Sequence, residues 1–86
     1  MTQKISQPVS VLLASDSQIK KTRPSLLFWR SQKYPINKVA FHHSYRHGQT
    51  LFHVYSVLSQ NFYFKLVLNT DDLSWLLEEY SDVSLS

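Results

Sequence analysis

With 86 residues, 43 % of them hydrophobic, the chain has enough for one domain (1–86) whose apolar side chains are nearly all needed for a single core, which leaves few for a deep substrate pocket. The absence of cysteine excludes disulfides, zinc–thiolate centres and a thiol nucleophile and fits a reducing compartment, so a cytoplasmic location is expected. The net charge of +3 is unevenly spread, +7 over residues 1–46 and −4 over residues 47–86, a polarity that suits an acidic partner or phosphate as well as ordinary solvated faces.

Residues 1–7 are polar and read as a flexible tail, as do residues 83–86. The start lacks the apolar centre of a signal peptide, and no apolar run approaches the roughly 20 residues of a membrane span. Val9, Val11 and Leu13 alternate with Ser10, Leu12 and Ala14, the pattern of a first strand. A polar connection over residues 15–24 leads to a second strand at 25–29, and Ser31 with Gln32 forms a turn into a third. That third strand runs from Lys33 through Tyr34, Ile36 and Val39 to Phe41. Pro35 cannot donate to a ladder and belongs at an edge or a non-bonded position, and the change of phase between Ile36 and Val39 predicts a bulge. The only glycine, Gly48, closes a loop that contains His42, His43, Ser44, Tyr45, Arg46 and His47.

Residues 50–58 and 62–69 are rich in β-branched and aromatic residues and are separated only by Ser59, Gln60 and Asn61, which predicts an antiparallel hairpin. In its second strand Phe62, Phe64, Leu66 and Leu68 fall on one face. Tyr63, Lys65, Val67 and Asn69 fall on the other. The first face is assigned to the core, and Tyr55 is placed with Tyr63, Lys65 and Val67 on the open one. The last element has two readings. Leu73, Leu76, Leu77 and Tyr80 share a helical face, with Thr70 as a cap and Asp71 and Asp72 in the first turn. A strand with Leu73, Trp75 and Leu77 inward fits as well, with residues 69–72 as a hairpin turn.

Pro8, Val9 and Val11, then Trp29 and Arg30 followed by Tyr34, Ile36 and Val39, and finally Trp75, Leu77 and Asp82 form a spacing. It resembles a small, poorly characterised β-rich domain found as stand-alone bacterial chains and at the C-terminal ends of Y-family DNA polymerase-like proteins. A turn glycine near Ser31 and the family's tryptophan-bearing middle are missing here. The resemblance implies an antiparallel meander ending in a strand that carries Trp75, and a setting near DNA-handling machinery.

Four histidines, His42, His43, His47 and His53, lie within twelve residues, but His42 and His43 face apart on a strand and no acidic residue lies between Asp16 and Asp71. A metal site is not expected. No nucleophile-elbow pattern surrounds a serine, and the carboxylates pair only as neighbours, so no catalytic residues are expected. One glycine cannot build a phosphate cradle, so no cofactor or small-molecule substrate is expected either. Cations do alternate with aromatics. Trp29 and Tyr34 read as core residues, which leaves Arg30, Lys33, Tyr45, Arg46, His47, Tyr55, Tyr63 and Lys65 as the candidate surface for a partner or nucleic acid.

The expectation is an all-β, non-enzymatic domain without a membrane role: a small antiparallel meander of five or six strands forming an open barrel or half-barrel, the last element a strand or short helix. Its expected core is Val9, Val11, Leu13, Phe28, Ile36, Phe52, Val54, Phe62, Phe64, Leu66, Leu68, Trp75 and Leu77. The first expected role is as an accessory or protein-interaction module, with a protein partner or a second copy of itself pairing at an exposed edge. The alternative is weak, salt-sensitive binding of single-stranded nucleic acid.

Overall fold

A computed structural model of the chain describes residues 2–16 and 21–82. The fold is all-β, a single antiparallel sheet of seven strands: β1 (Thr2–Asp16), β2 (Lys21–Trp29), β3 (Gln32–Pro35), β4 (Lys38–His47), β5 (Thr50–Ser59), β6 (Phe62–Asn69) and β7 (Ser74–Asp82). Their order across the sheet is β3-β2-β1-β7-β6-β5-β4.

Seven strands replace the expected five or six because the third predicted strand is two. At Ile36 and Asn37 the ladder changes partner: Ile36 N–H donates to Ser25 O of β2 at 2.9 Å, and Asn37 N–H donates to Leu58 O of β5 at 2.8 Å. The change of phase between Ile36 and Val39, expected to be a bulge, is this change of partner, and the register shift of β4 lies further on, between Val39 and Phe41. Residues 42–47, expected in a loop, continue β4 as far as His47, opposite Thr50. Gly48, with φ of 63°, takes the first position of a two-residue turn, where a glycine is favoured. The expected N-terminal tail is, from Thr2 onward, the first part of β1, paired with β7 from Thr2↔Ser81 to Val9↔Trp75. The final element is a strand, and the expected tail at 83–86 lies outside the described residues.

Strands β3 and β4 are the two edges of the sheet, yet only two residues separate them in the chain. Two residues allow at most about 11 Å between the flanking Cα atoms, so the sheet rolls until its edges meet at Ile36. Ser59, fully buried, donates its hydroxyl to Pro35 O at this seam, and Asn37 Oδ1 accepts from Gln60 N–H at 2.6 Å. The inner face of the roll is the core: Leu27, Trp29, Ile36, Val57, Phe64, Leu66, Trp75 and Leu77 are buried and packed together. Trp29 lies at its centre, with ring centroids 5.8 Å from Phe64, 5.9 Å from Tyr34 and 4.8 Å from Tyr80, tilted or edge-on as aromatic quadrupoles prefer.

The β5–β6 hairpin turns on two residues, not three. Ser59 pairs with Phe62, Val57 with Phe64 and Tyr55 with Leu66. A one-residue change of register exchanges the two faces of a strand, so β5 presents His53, Tyr55 and Val57 inward and Phe52 and Val54 outward. Phe52 and Val54 are therefore not part of the inner core, although Val54 is buried on the outer face beside Val67. Two other expected core residues are displaced. Leu13 is 48 % exposed beyond the bulge at Leu12/Leu13, and Phe28 lies half-buried opposite Ser10, out of phase with buried Leu27 and Trp29.

Neighbouring strands in the sheet run in opposite directions and β3 continues into β4 without reversing, so the turns fall at two ends of the roll. One end carries the β2–β3 turn (Arg30, Ser31) and the β5–β6 turn (Gln60, Asn61). The other carries Gly48, Gln49 and the 70–73 turn. The second end is stitched to β5 by Thr70 N–H and Oγ1 donating to Leu51 O, and by Thr50 Oγ1 donating to Asp71 Oδ2. Beyond Val9 the strand β1 leaves β7 and pairs only with β2, out to Asp16↔Lys21, and past Leu12 this pair is a two-stranded ribbon without a third neighbour.

Candidate functional site

The roll leaves open edges of unequal character. Edge strand β3 has only four residues and ends in Pro35, which lacks an N–H. The open edge of β2 next to it is interrupted by Pro24. Both carry the usual protection against strand addition. Strand β4 does not. Its start is blunted by Lys38 and the bulge at Ala40, but from Phe41 to His47 it is regular, exposed at every residue and bonded on one side only, to β5. β2 and β4 meet at Ile36 and pair with different neighbours beyond it, so no ladder joins them there and a wedge opens between their free edges. Together β2, β3 and β4 contain five lysines or arginines and no acidic residue.

The side chains of β4 divide by register. Phe41, His43, Tyr45 and His47 project from the outer face. There Phe41, 59 % exposed, lies 5.4 Å from His43, and Tyr45, 44 % exposed, stacks on Phe52 at 5.1 Å. His42, Ser44 and Arg46 project from the inner face, lining the wedge. His42 stacks flat on Tyr55 at 4.3 Å, and its Nε2 shares a 3.0 Å hydrogen bond with His53 Nδ1. Burial, and then the neighbouring His53 and His43, hold the His42 pKa below its ordinary value. Burial raises that of Tyr55, whose ring also lies 5.7 Å from Trp75. Arg46 is exposed and makes no ion pair among the described residues.

The eight residues singled out from sequence do not form one surface. Arg30 and Lys33 lie by the β2–β3 turn, at the opposite end of the roll from Tyr45, Arg46 and His47. The Arg30 guanidinium covers Trp29 at 4.2 Å and Tyr80 at 5.6 Å. Beside it a shallow depression of about 290 Å³, lined by residues 7–10 and 28–30, opens where β2 ends and uncovers β1. Arg30 is its sole ionisable residue. Tyr63 and Lys65 lie on the outer face of β6. The Tyr63 hydroxyl is 3.3 Å from Ser56 Oγ, and Lys65 pairs with Glu78 at 3.1 Å, a hydrogen bond that raises its pKa. Tyr55, expected beside them, is on the inner face, because β5 is shifted by one residue.

No model of a known family matches this chain, and neither does any curated protein or solved structure. Among the described residues, no three histidine, cysteine, aspartate or glutamate side chains gather as a metal site, and no helix is long and apolar enough to cross a membrane. The sequence reading missed the partnership of His42, His53 and Tyr55 on the wall of the wedge. Its only sequence signal was the length of the 59–61 turn, which sets which faces meet.

Proposed function

We propose that the chain is a non-catalytic interaction module, a half-barrel that captures an extended segment of a partner along the open edge of β4. The observation that carries this reading is the regular, exposed run from Phe41 to His47, bonded on one side only, in a sheet whose other edge is short and ends in proline. An added strand gains main-chain hydrogen bonds along that edge and covers Phe41 and Tyr45. The resemblance to the polymerase-associated domain adds a setting, a partner within DNA-handling machinery. The cytoplasmic location expected from the absence of cysteine belongs to the same reading.

The test is a titration of isotope-labelled protein with extended peptides obtained by display selection. The amide resonances of residues 41–47 move on binding, and Tyr45→Lys weakens binding at least fivefold while the rest of the spectrum stays in place. Shifts confined to β6–β7, or to the ribbon of residues 13–16 and 21–24, would sink the reading.

A second reading, single-stranded nucleic acid, is favoured by the His42–Tyr55 stack, with Arg46 further along the same face of β4. The separation of Arg30 and Lys33 from this stack weakens it. Anisotropy of a labelled single strand in low salt rises with protein if it holds, and a flat trace to high micromolar protein removes it.

A further inference from the structure

We infer that the segment received by β4 alternates apolar with acidic residues, the apolar ones over the outer face and the carboxylates turned into the wedge. This rests on the strand-addition reading and adds the chemistry of the partner. Side chains of an added strand project to opposite faces in turn. Every second one therefore lies beside Phe41, His43 and Tyr45, and those between lie beside His42, Ser44 and Arg46.

The outer row asks for apolar cover. Phe41 and Tyr45 are among the largest exposed apolar side chains of the molecule. The outer surface next to them continues inward through Phe52 to buried Val54 and Val67. An apolar side chain between Phe41 and Tyr45 extends a layer that already exists.

The inner row asks for negative charge. Arg46 has no acidic partner among the described residues, and β2, β3 and β4 together contain five lysines or arginines and no acidic residue. Among the described side chains no acidic one lies on β4 itself, and the nearest, Asp71, reaches Thr50, the strand partner of His47, at the end of the run. Glu78, Glu79 and Asp82 are on β7, while Asp71 and Asp72 accept hydrogen bonds from Thr50 and Ser74 in the 70–73 turn region. A lysine-bearing strand would meet like charge along the wedge, and a carboxylate meets opposite charge. The regular run of seven residues sets the length of the segment.

The experiment uses three labelled seven-residue peptides with blocked ends, in which valine alternates with glutamate, threonine or lysine, titrated with the full chain in low salt by fluorescence anisotropy. The glutamate peptide binds at least tenfold more tightly than the lysine peptide, with threonine between. Arg46→Glu reverses the order, and Arg46→Gln narrows the gap at least threefold. Equal affinities for the three peptides, or an order untouched by both Arg46 variants, overturn the acidic specificity and leave strand addition standing. Binding of none of the three, or undiminished binding of a glutamate peptide N-methylated at alternate amides in both phases, overturns strand addition as well.

Discussion

Trp29 is 4 % exposed, packs on three aromatic rings, and donates its indole N–H to Gln7 Oε1 at 3.1 Å. Truncation of such a side chain costs ~3–5 kcal/mol, against a total of about 4–13 kcal/mol for a domain of this length. Trp29→Ala should therefore lower the urea midpoint by about a quarter or more or leave the chain unfolded, and an unchanged midpoint would deny it a core role. Arg30 and Ser31 both lie in the left-handed region, with φ of 53° and 61°, where side chains other than glycine are strained by ~1–2 kcal/mol. Ser31→Gly should stabilise by about 1 kcal/mol in denaturant. Arg30→Gly should gain less, because it also removes the cation over Trp29. His42 has a folded pKa below its ordinary 6.5, so the unfolded chain takes up the proton first. The stability it contributes is present above pH 6.5 and is lost as the pH falls through 6.5 toward the folded value. Thermal scans between about pH 7.5 and pH 5 should show the midpoint falling, with a shallower slope in His42→Asn, and parallel slopes would remove His42 as a cause.

The elements differ in how many neighbours hold them. Strand β6 is paired on both sides and contributes Phe64 and Leu66, both without solvent exposure. The ribbon of residues 13–16 and 21–24 has no third strand, although Ser15 and Thr22 share a 3.2 Å hydrogen bond across it. Amide exchange should be slowest in β6 and fastest in the ribbon, and equal protection in the two would show that another part of the chain covers the ribbon. Strand identity was legible in the sequence wherever apolar residues alternate over eight or more positions, as in β6. The face presented by β5 was not legible, because it depends on whether the turn holds two residues or three, and Ser59 is tolerated equally as the last residue of a strand or the first of a turn. That single uncertainty displaced Phe52, Val54 and Tyr55 together. The extent of β4 was hidden for another reason: His42, His43, Ser44, Tyr45, Arg46 and His47 have the polarity of a loop because the strand they form is exposed throughout.

At the scale of the molecule, the roll depends on its seam. Ser59 is the buried polar residue among those described, and its hydroxyl satisfies Pro35 O where β3 gives way to β4. Ser59→Ala leaves that carbonyl without its side-chain donor and should cost ~1–3 kcal/mol in urea unfolding. A loss below about 0.5 kcal/mol would mean that water replaces the hydroxyl. The roll also converts a polarity of sequence into one of space. The basic first half supplies β1 to β4 and the acidic second half supplies β5 to β7. The two sets adjoin along β1–β7 and β4–β5, so the charges neither interleave nor cancel across the wedge.

Local pattern by itself determined the strands of the β5–β6 hairpin, the position of Pro35 at an edge and the membership of Phe64 and Leu66 in the core, while the strand that carries Trp75 was implied by the family resemblance. The first three follow from alternation or from a missing N–H, properties that a strand has before it finds a neighbour. Only the tertiary structure decided that one predicted strand serves both edges of the sheet, that Tyr55 joins His42 and His53 in the wedge, and that β4 is left open. These depend on register and closure, which are set by contacts between residues far apart in the chain.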